Sequence, residues 1–189
     1  MTKPANAALP WRYISIGVAA MAVIVTASNF LVQYPINDWL TYGALTYPIA
    51  FLVTDLTNRS LGPAAARRVI YVGFALAVLL SLTLATPRIA LASGSAFLVA
   101  QLLDVYVFDR LRRRAWWQAP LVSSVIGSTV DTAIFFSLAF AGTMVPWVSL
   151  GIGDLGVKMG LALFMLIPFR LLMAVLRSWI GDARAAQQG

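Results

Sequence analysis

The stretch PLVSSVIGSTVDTAIFFSLAFA, residues 120–141, is 22 residues long and carries one ionisable side chain, Asp131. As a helix it would rise about 33 Å at 1.5 Å per residue, enough to cross the ~30 Å hydrocarbon layer of a bilayer. Five other apolar runs of 17 to 25 residues share that character: 14–32, 40–56, 69–85, 89–108 and 152–176. Apolar residues make up 60% of the chain and charged ones 11%, against roughly 25% charged in an ordinary soluble domain. Lipid is the solvent these runs require. The expectation is an all-α membrane protein, six transmembrane helices in one bundle spanning 14–180, with short polar segments at 1–13 and 181–189. The segment before the first run looks like the start of a signal peptide. The run that follows is 19 residues long and has no small-residue cleavage site, so it reads as a retained helix.

Pro35, Pro87, Pro120 and Pro146 fall beside the expected helix ends, where proline costs least. Pro48 and Pro168 lie inside spans and predict kinks, each freeing a carbonyl that a neighbouring helix or water must satisfy. Of the 14 basic residues, eleven gather on one side: Lys3, Arg12, Arg59, Arg67, Arg68, Arg110, Arg112, Arg113, Arg114, Arg177 and Arg184. Arg88 alone falls on the other, while Lys158 and Arg170 lie within the last span. The positive-inside rule then puts both termini in the cytoplasm of a cell whose inner membrane holds the chain. The net charge of +7 is thus a topology signal and not a nucleic-acid footprint. The six tryptophans lie near span ends, as an interfacial belt requires.

The chain has no Cys and no His, which removes disulfides, thiol nucleophiles, imidazole bases and the commonest zinc ligands. No G-x-x-x-x-G-K-[ST] phosphate loop is present. Nothing in the sequence asks for catalysis, a metal or a cofactor. What does ask for an explanation is charge within the spans, because an ionised residue at mid-bilayer costs at least about 2.5 kcal/mol on insertion scales. Asp104, Asp131, Lys158 and Arg170 stand out, Asp131 being the deepest. Asp131 with Lys158 reads either as an ion pair locking the fifth and sixth spans or as a ligand site. Ser124, Gly127, Ser128 and Asp131, at i, i+3, i+4 and i+7, put a small, polar stripe on one helix face. Asn29, Thr46, Tyr47 and Gln101 fall at similar depth and could line the same pocket, with Phe51 and Phe135 as stacking partners. Asp55, Asp104 and Asp109, lying near Arg67, Arg68 and Arg170 at the cytoplasmic ends, are expected to form structural ion pairs. Gly156 with Gly160, and Ala92, Ala96 and Ala100, are expected to be helix-packing faces.

Several blocks in order resemble the queuosine-precursor transporter family, also called the vitamin uptake transporter family. They are TASNFLVQ (26–33), YPIAFLVTDLT (47–57) with ARRVI (66–70), QLLDVYVF (101–108) and SSVIGSTVDTAIF (123–135), followed by Lys158 and, ten residues on, Pro168. The resemblance touches all six runs. It implies a six-helix fold similar to the substrate-binding components of energy-coupling-factor transporters, and import of 7-cyano-7-deazaguanine or 7-aminomethyl-7-deazaguanine. One departure is Ser128, where family members often carry an amide. The residues suit such a solute: a deazaguanine edge offers two parallel N–H donors, which the Asp131 carboxylate can accept. Lys158 or Gln101 could donate to the ring oxygen, Tyr47, Phe51 or Phe135 could stack on the ring, and Asn29 could meet the 7-substituent. A carrier that works alone, a binding subunit that needs an ATPase motor, and a structural membrane protein all stay open at this stage. A homo-oligomer is compatible with each.

Overall fold

The computed structural model describes residues 11–31, 34–37, 40–84 and 86–185. Helix α1 (Trp11–Leu31) is followed by a small antiparallel hairpin, β1 (Pro35–Asn37) with β2 (Leu40–Thr41), then by α2 (Tyr42–Thr46) and α3 (Pro48–Leu61). There follow α4 (Pro63–Leu84), α5 (Pro87–Leu111), α6 (Gln118–Phe140), α7 (Trp147–Phe164) and α8 (Leu166–Ala185).

Sequence sets most of these boundaries. Pro63 opens α4 directly after Gly62, whose φ of +91° is a conformation that only glycine adopts without strain; its N–H bonds the Asn58 carbonyl and ends α3. Pro87 sits at the start of α5, where Thr86 caps by accepting from the Ile89 N–H. The two interior prolines each adjoin an interruption of the helix. Pro48 begins α3 after a one-residue break at Tyr47, and Pro168, lacking an N–H for the Phe164 carbonyl, coincides with the interruption at Met165. The second run differs from its expected helix at 40–56, because its first two residues pair with Pro35–Asn37 in the hairpin.

Three described helical stretches are by themselves long and apolar enough to cross a membrane: Pro87–Leu111, Gln118–Phe140 and Trp147–Leu176. Helix α1 is apolar over Tyr13–Ser28, a shorter run. Helix α3 is only 14 residues long and contains Asp55, Asn58 and Arg59, so it reaches span length only together with α2.

The core is built on close helix contacts. Gly73 of α4 lies where a Cβ would come 2.5 Å from Met21, letting α1 press against α4, and Met21, Val69 and Ile70 are wholly buried there. Ala92, Ala96 and Ala100 of α5 are buried, and the Ala100 carbonyl approaches Gly127 of α6. That is the expected small-residue packing face. The other one is not: nothing lies within 4 Å of the Cβ position of Gly156 or Gly160, because α7 turns Lys158 inward and those glycines outward.

The ends are tied by arginines, and of the three expected carboxylates only Asp109 takes part in an ion pair among the described residues. Arg88 donates to the carbonyls of Leu138 and Ala141 at 2.8 and 2.6 Å, closing the C-terminal end of α6 from the first turn of α5. At the opposite end Arg59 donates to the Arg112 carbonyl, and Arg112 to the backbone and side chain of Asn58. Asp109 pairs with Arg112 at 3.3 Å, Arg67 bonds the Pro63 carbonyl of its own helix, and Arg170 lies over the Trp116 ring at 4.5 Å. The ion pairs expected between Asp55 or Asp104 and Arg67, Arg68 or Arg170 are absent among the described residues. Long guanidinium side chains reach outward from the helix ends, whereas Asp55 and Asp104 point between helices and are 2% and 0% exposed.

Candidate functional site

Asp131 lies nine residues before the end of α6, about 14 Å along its axis from Phe140. It faces α7 because the stripe Ser124, Gly127, Ser128 and Asp131 is turned inward as one, all four buried. From α7, Lys158 meets it: Nζ donates to Asp131 Oδ2 at 2.8 Å, to Asp154 Oδ2 at 2.6 Å and to Thr132 Oγ1 at 3.1 Å. All three ammonium protons are thereby used. Thr132 in turn donates to Asp154 at 2.8 Å, and the Tyr47 hydroxyl donates to Asp131 Oδ1 at 3.1 Å. The ammonium also lies 5.5 Å from the Tyr47 ring centre.

Tyr47 stands at the junction of α2 and α3, directly before Pro48. Its ring is edge-on to Phe51 and Phe97, each at 6.3 Å. Phe51 lies over Gly127, where a Cβ would come 2.7 Å from Cε1. A narrow cleft opens beside this cluster, with about 330 Å³ of free space including the part open to the outside. Phe51, Asp55, Ser124, Ser128, Lys158 and Phe169 are on its walls.

Of the residues expected to share a pocket, Tyr47, Phe51, Ser128, Asp131 and Lys158 come together. Gln101 does not join them: it is wholly buried, and its carbonyl oxygen accepts from Thr54 at 2.6 Å. Phe135 packs with Phe136 and Phe140 at 5.2 and 6.0 Å. Asn29 lies in the last turn of α1, its side chain outside the described residues; its neighbour Ser28 bonds Thr46 at 3.0 Å.

Asp154 and Thr132 are the members that sequence reasoning missed. A signal for Asp154 existed, since it precedes Lys158 by four residues, the spacing of a helical ion pair. With it the cluster holds two carboxylates and one ammonium, a formal excess of one negative charge. Lys158 is thus shared between two carboxylates, Asp131 on α6 and Asp154 on its own helix.

Long apolar helices enclosing a buried charge cluster and a cleft define a multi-pass membrane protein with an internal polar site. The chain belongs to the family described as "Putative vitamin uptake transporter", whose model matches residues 41–86 and 81–173. That family is one of transporters, not of enzymes. A "Probable queuosine precursor transporter" of Haemophilus influenzae is 37% identical over 186 residues, covering 77% of this chain and 79% of the relative. The "Queuosine precursor transporter" of Escherichia coli is 33% identical over 190 residues, covering 85% and 86%. A "Probable queuosine precursor transporter" of Bacillus subtilis is 33% identical over 132 residues, covering 54% and 57%. No solved structure matches the chain.

Proposed function

We propose that the chain imports queuosine precursors, 7-cyano-7-deazaguanine or 7-aminomethyl-7-deazaguanine, across the inner membrane, and that Asp131 receives the guanine-like edge of the solute. The names of the two relatives that span most of the chain support the substrate class. The observation that carries the site is the charge excess: Lys158 is bonded to both Asp131 and Asp154. A solute with two parallel N–H donors can therefore take the Asp131 carboxylate while Lys158 stays neutralised. Exchanging one set of charge-assisted bonds for another avoids leaving a buried ion bare, which would cost about 3–5 kcal/mol. Phe51, on the cleft wall, and Tyr47 beside it supply apolar faces for the flat ring, and Ser128 supplies a small polar wall. Asn29, Gln101 and Phe135 remain part of the proposed site only if the helices rearrange around the solute. The cleft is tight, so a ring enters by displacing the Tyr47 hydroxyl and Lys158 from Asp131.

The same reading puts six spans in the membrane, counting α2 with α3 and α7 with α8, and both termini in the cytoplasm. The segregation of the basic residues supports it. Reporter fusions after Arg59, Arg114 and the C-terminus should read cytoplasmic, and fusions near Asp38 and Pro146 periplasmic; an odd number of spans would contradict it. Function itself is tested by uptake of labelled deazaguanines into cells that cannot make them. Expression of this chain should restore uptake, and purified protein in liposomes should move the solute without an ATPase. Uptake by cells but never by the purified chain would favour a binding subunit that needs a motor.

A further inference from the structure

The transport reading does not use a second buried polar group, Asp55 with Asp104, of which Asp55 lines the cleft. Asp55 on α3 and Asp104 on α5 are both buried where these two helices meet, between the hydrogen bond of Thr54 to Gln101 at 2.6 Å and that of Asn58 to the Val105 carbonyl at 3.1 Å. Asp55 accepts from Ser123 at 3.3 Å and from Ser124 at 3.4 Å. Among the described residues neither oxygen of the wholly buried Asp104 accepts a hydrogen bond, and one turn earlier on α5 the Gln101 amide nitrogen finds no acceptor.

The charged groups around the pair are engaged elsewhere or exposed. On α3 Arg59 bonds the Arg112 carbonyl, and Arg112 itself holds Asn58 and Asp109. Arg67 and Arg68 of α4 are exposed, Arg110 of α5 lies over Tyr106, and Arg170 of α8 lies over Trp116. Helix α6 brings only Asp131, and α7 brings Asp154 and Lys158, all three in the cluster already described.

Two buried carboxyl groups at one helix contact, with no cation bonded to either among the described residues, hold one shared proton at lower cost than two like charges. A proton between them turns an acceptor–acceptor contact into an O–H···O⁻ bond and gives Asp104 its partner. Asp55 and Lys158 line the same cleft, so the charge of this pair and the state of the solute site share one low-dielectric space.

We propose that Asp55 and Asp104 form a proton-binding site, holding one proton between two carboxyl groups, through which solute uptake is coupled to the proton gradient. The proton comes from water on the side where solute enters and returns to water on the other. This inference rests on the transport reading, and two readouts separate their failures.

The full chain in lipid vesicles is measured first by infrared spectroscopy, without solute. Wild type should show a protonated carboxylic acid band at neutral pH that Asp104→Asn loses. Asp55→Asn carries the same expectation and serves as a second variant if the first does not fold. Uptake of labelled 7-cyano-7-deazaguanine is measured next. An outside-acid gradient should speed it several-fold in wild type, and Asp104→Asn should keep gradient-free exchange but lose the acceleration. Absence of the acid band, acceleration by sodium instead of protons, or undiminished acceleration in Asp104→Asn would each overturn the proposal. An acid band with no uptake by any chain would overturn the transport reading and the coupling together.

Discussion

Asp154 and Lys158, one turn apart on α7, are joined at 2.6 Å, so the ammonium retains a counter-ion when Asp131 is taken away. Asp131→Asn and Asp154→Asn should therefore each leave a neutral buried pair and a folded protein. Lys158→Met should not, because it strands two carboxylates at a cost of about 3–5 kcal/mol. Folded yield and melting temperature in detergent should rank Lys158→Met far below both Asp variants. Equal behaviour of all three would show that Asp154 is not a counter-ion.

Tyr47 donates to Asp131 Oδ1 at 3.1 Å, the oxygen that an incoming N–H donor would also claim. Tyr47→Phe removes a bond to a charged group, worth about 1.5–3 kcal/mol, but keeps the ring against Phe51 and Phe97. Melting temperature should fall while deazaguanine affinity, read by titration, falls much less than in Asp131→Asn. A drop as steep as that of Asp131→Asn would make Tyr47 a solute ligand in its own right.

Gly127 leaves room for Phe51, whose Cε1 would stand 2.7 Å from an added Cβ. Gly127→Ala should push Phe51 out of place and open the α5–α6 contact at the Ala100 carbonyl, an overpacking cost of about 1–3 kcal/mol. Both stability and solute affinity should suffer, the latter through the ring wall of the cleft. Full affinity in the folded variant would remove Phe51 from the proposed stacking face.

How much of this was legible beforehand differs residue by residue. Asp131 and Lys158 announce themselves because ionised groups deep in apolar runs require partners, and the inward stripe on α6 follows from helical spacing alone. Asp154 escapes because a span read from Ile152 leaves it in the first turn, at the water interface, where a carboxylate raises no question. The helix starts at Trp147, and Asp154 lies about 10 Å in. Depth also misleads for Asp55 and Asp104: sharing a level with arginines says nothing of which way each side chain points. The hairpin that replaces the first residues of the second run is decided by the pairing of Pro35 with Thr41 and Asn37 with Leu40, which no apolar pattern encodes.

Arg88, in the first turn of α5, bonds the Leu138 and Ala141 carbonyls. Arg88→Met should lower thermal stability by about 1–3 kcal/mol, the worth of hydrogen bonds to a charged group, with no change in solute affinity. A selective loss of binding in the folded variant would place Arg88 on the solute path.

The most direct measurement is the affinity of folded Asp131→Asn for 7-cyano-7-deazaguanine, beside that of wild type. The amide keeps the volume but sets an NH₂ donor against the donors of the guanine-like edge. Losing a charge-assisted bond of about 1.5–3 kcal/mol corresponds to at least about tenfold weaker binding. Adenine, which lacks the paired donors, should bind wild type poorly. Tenfold or greater loss in a protein that still folds is the predicted result; wild-type affinity in Asp131→Asn would contradict the account and leave Asp131 as no more than a partner of Lys158.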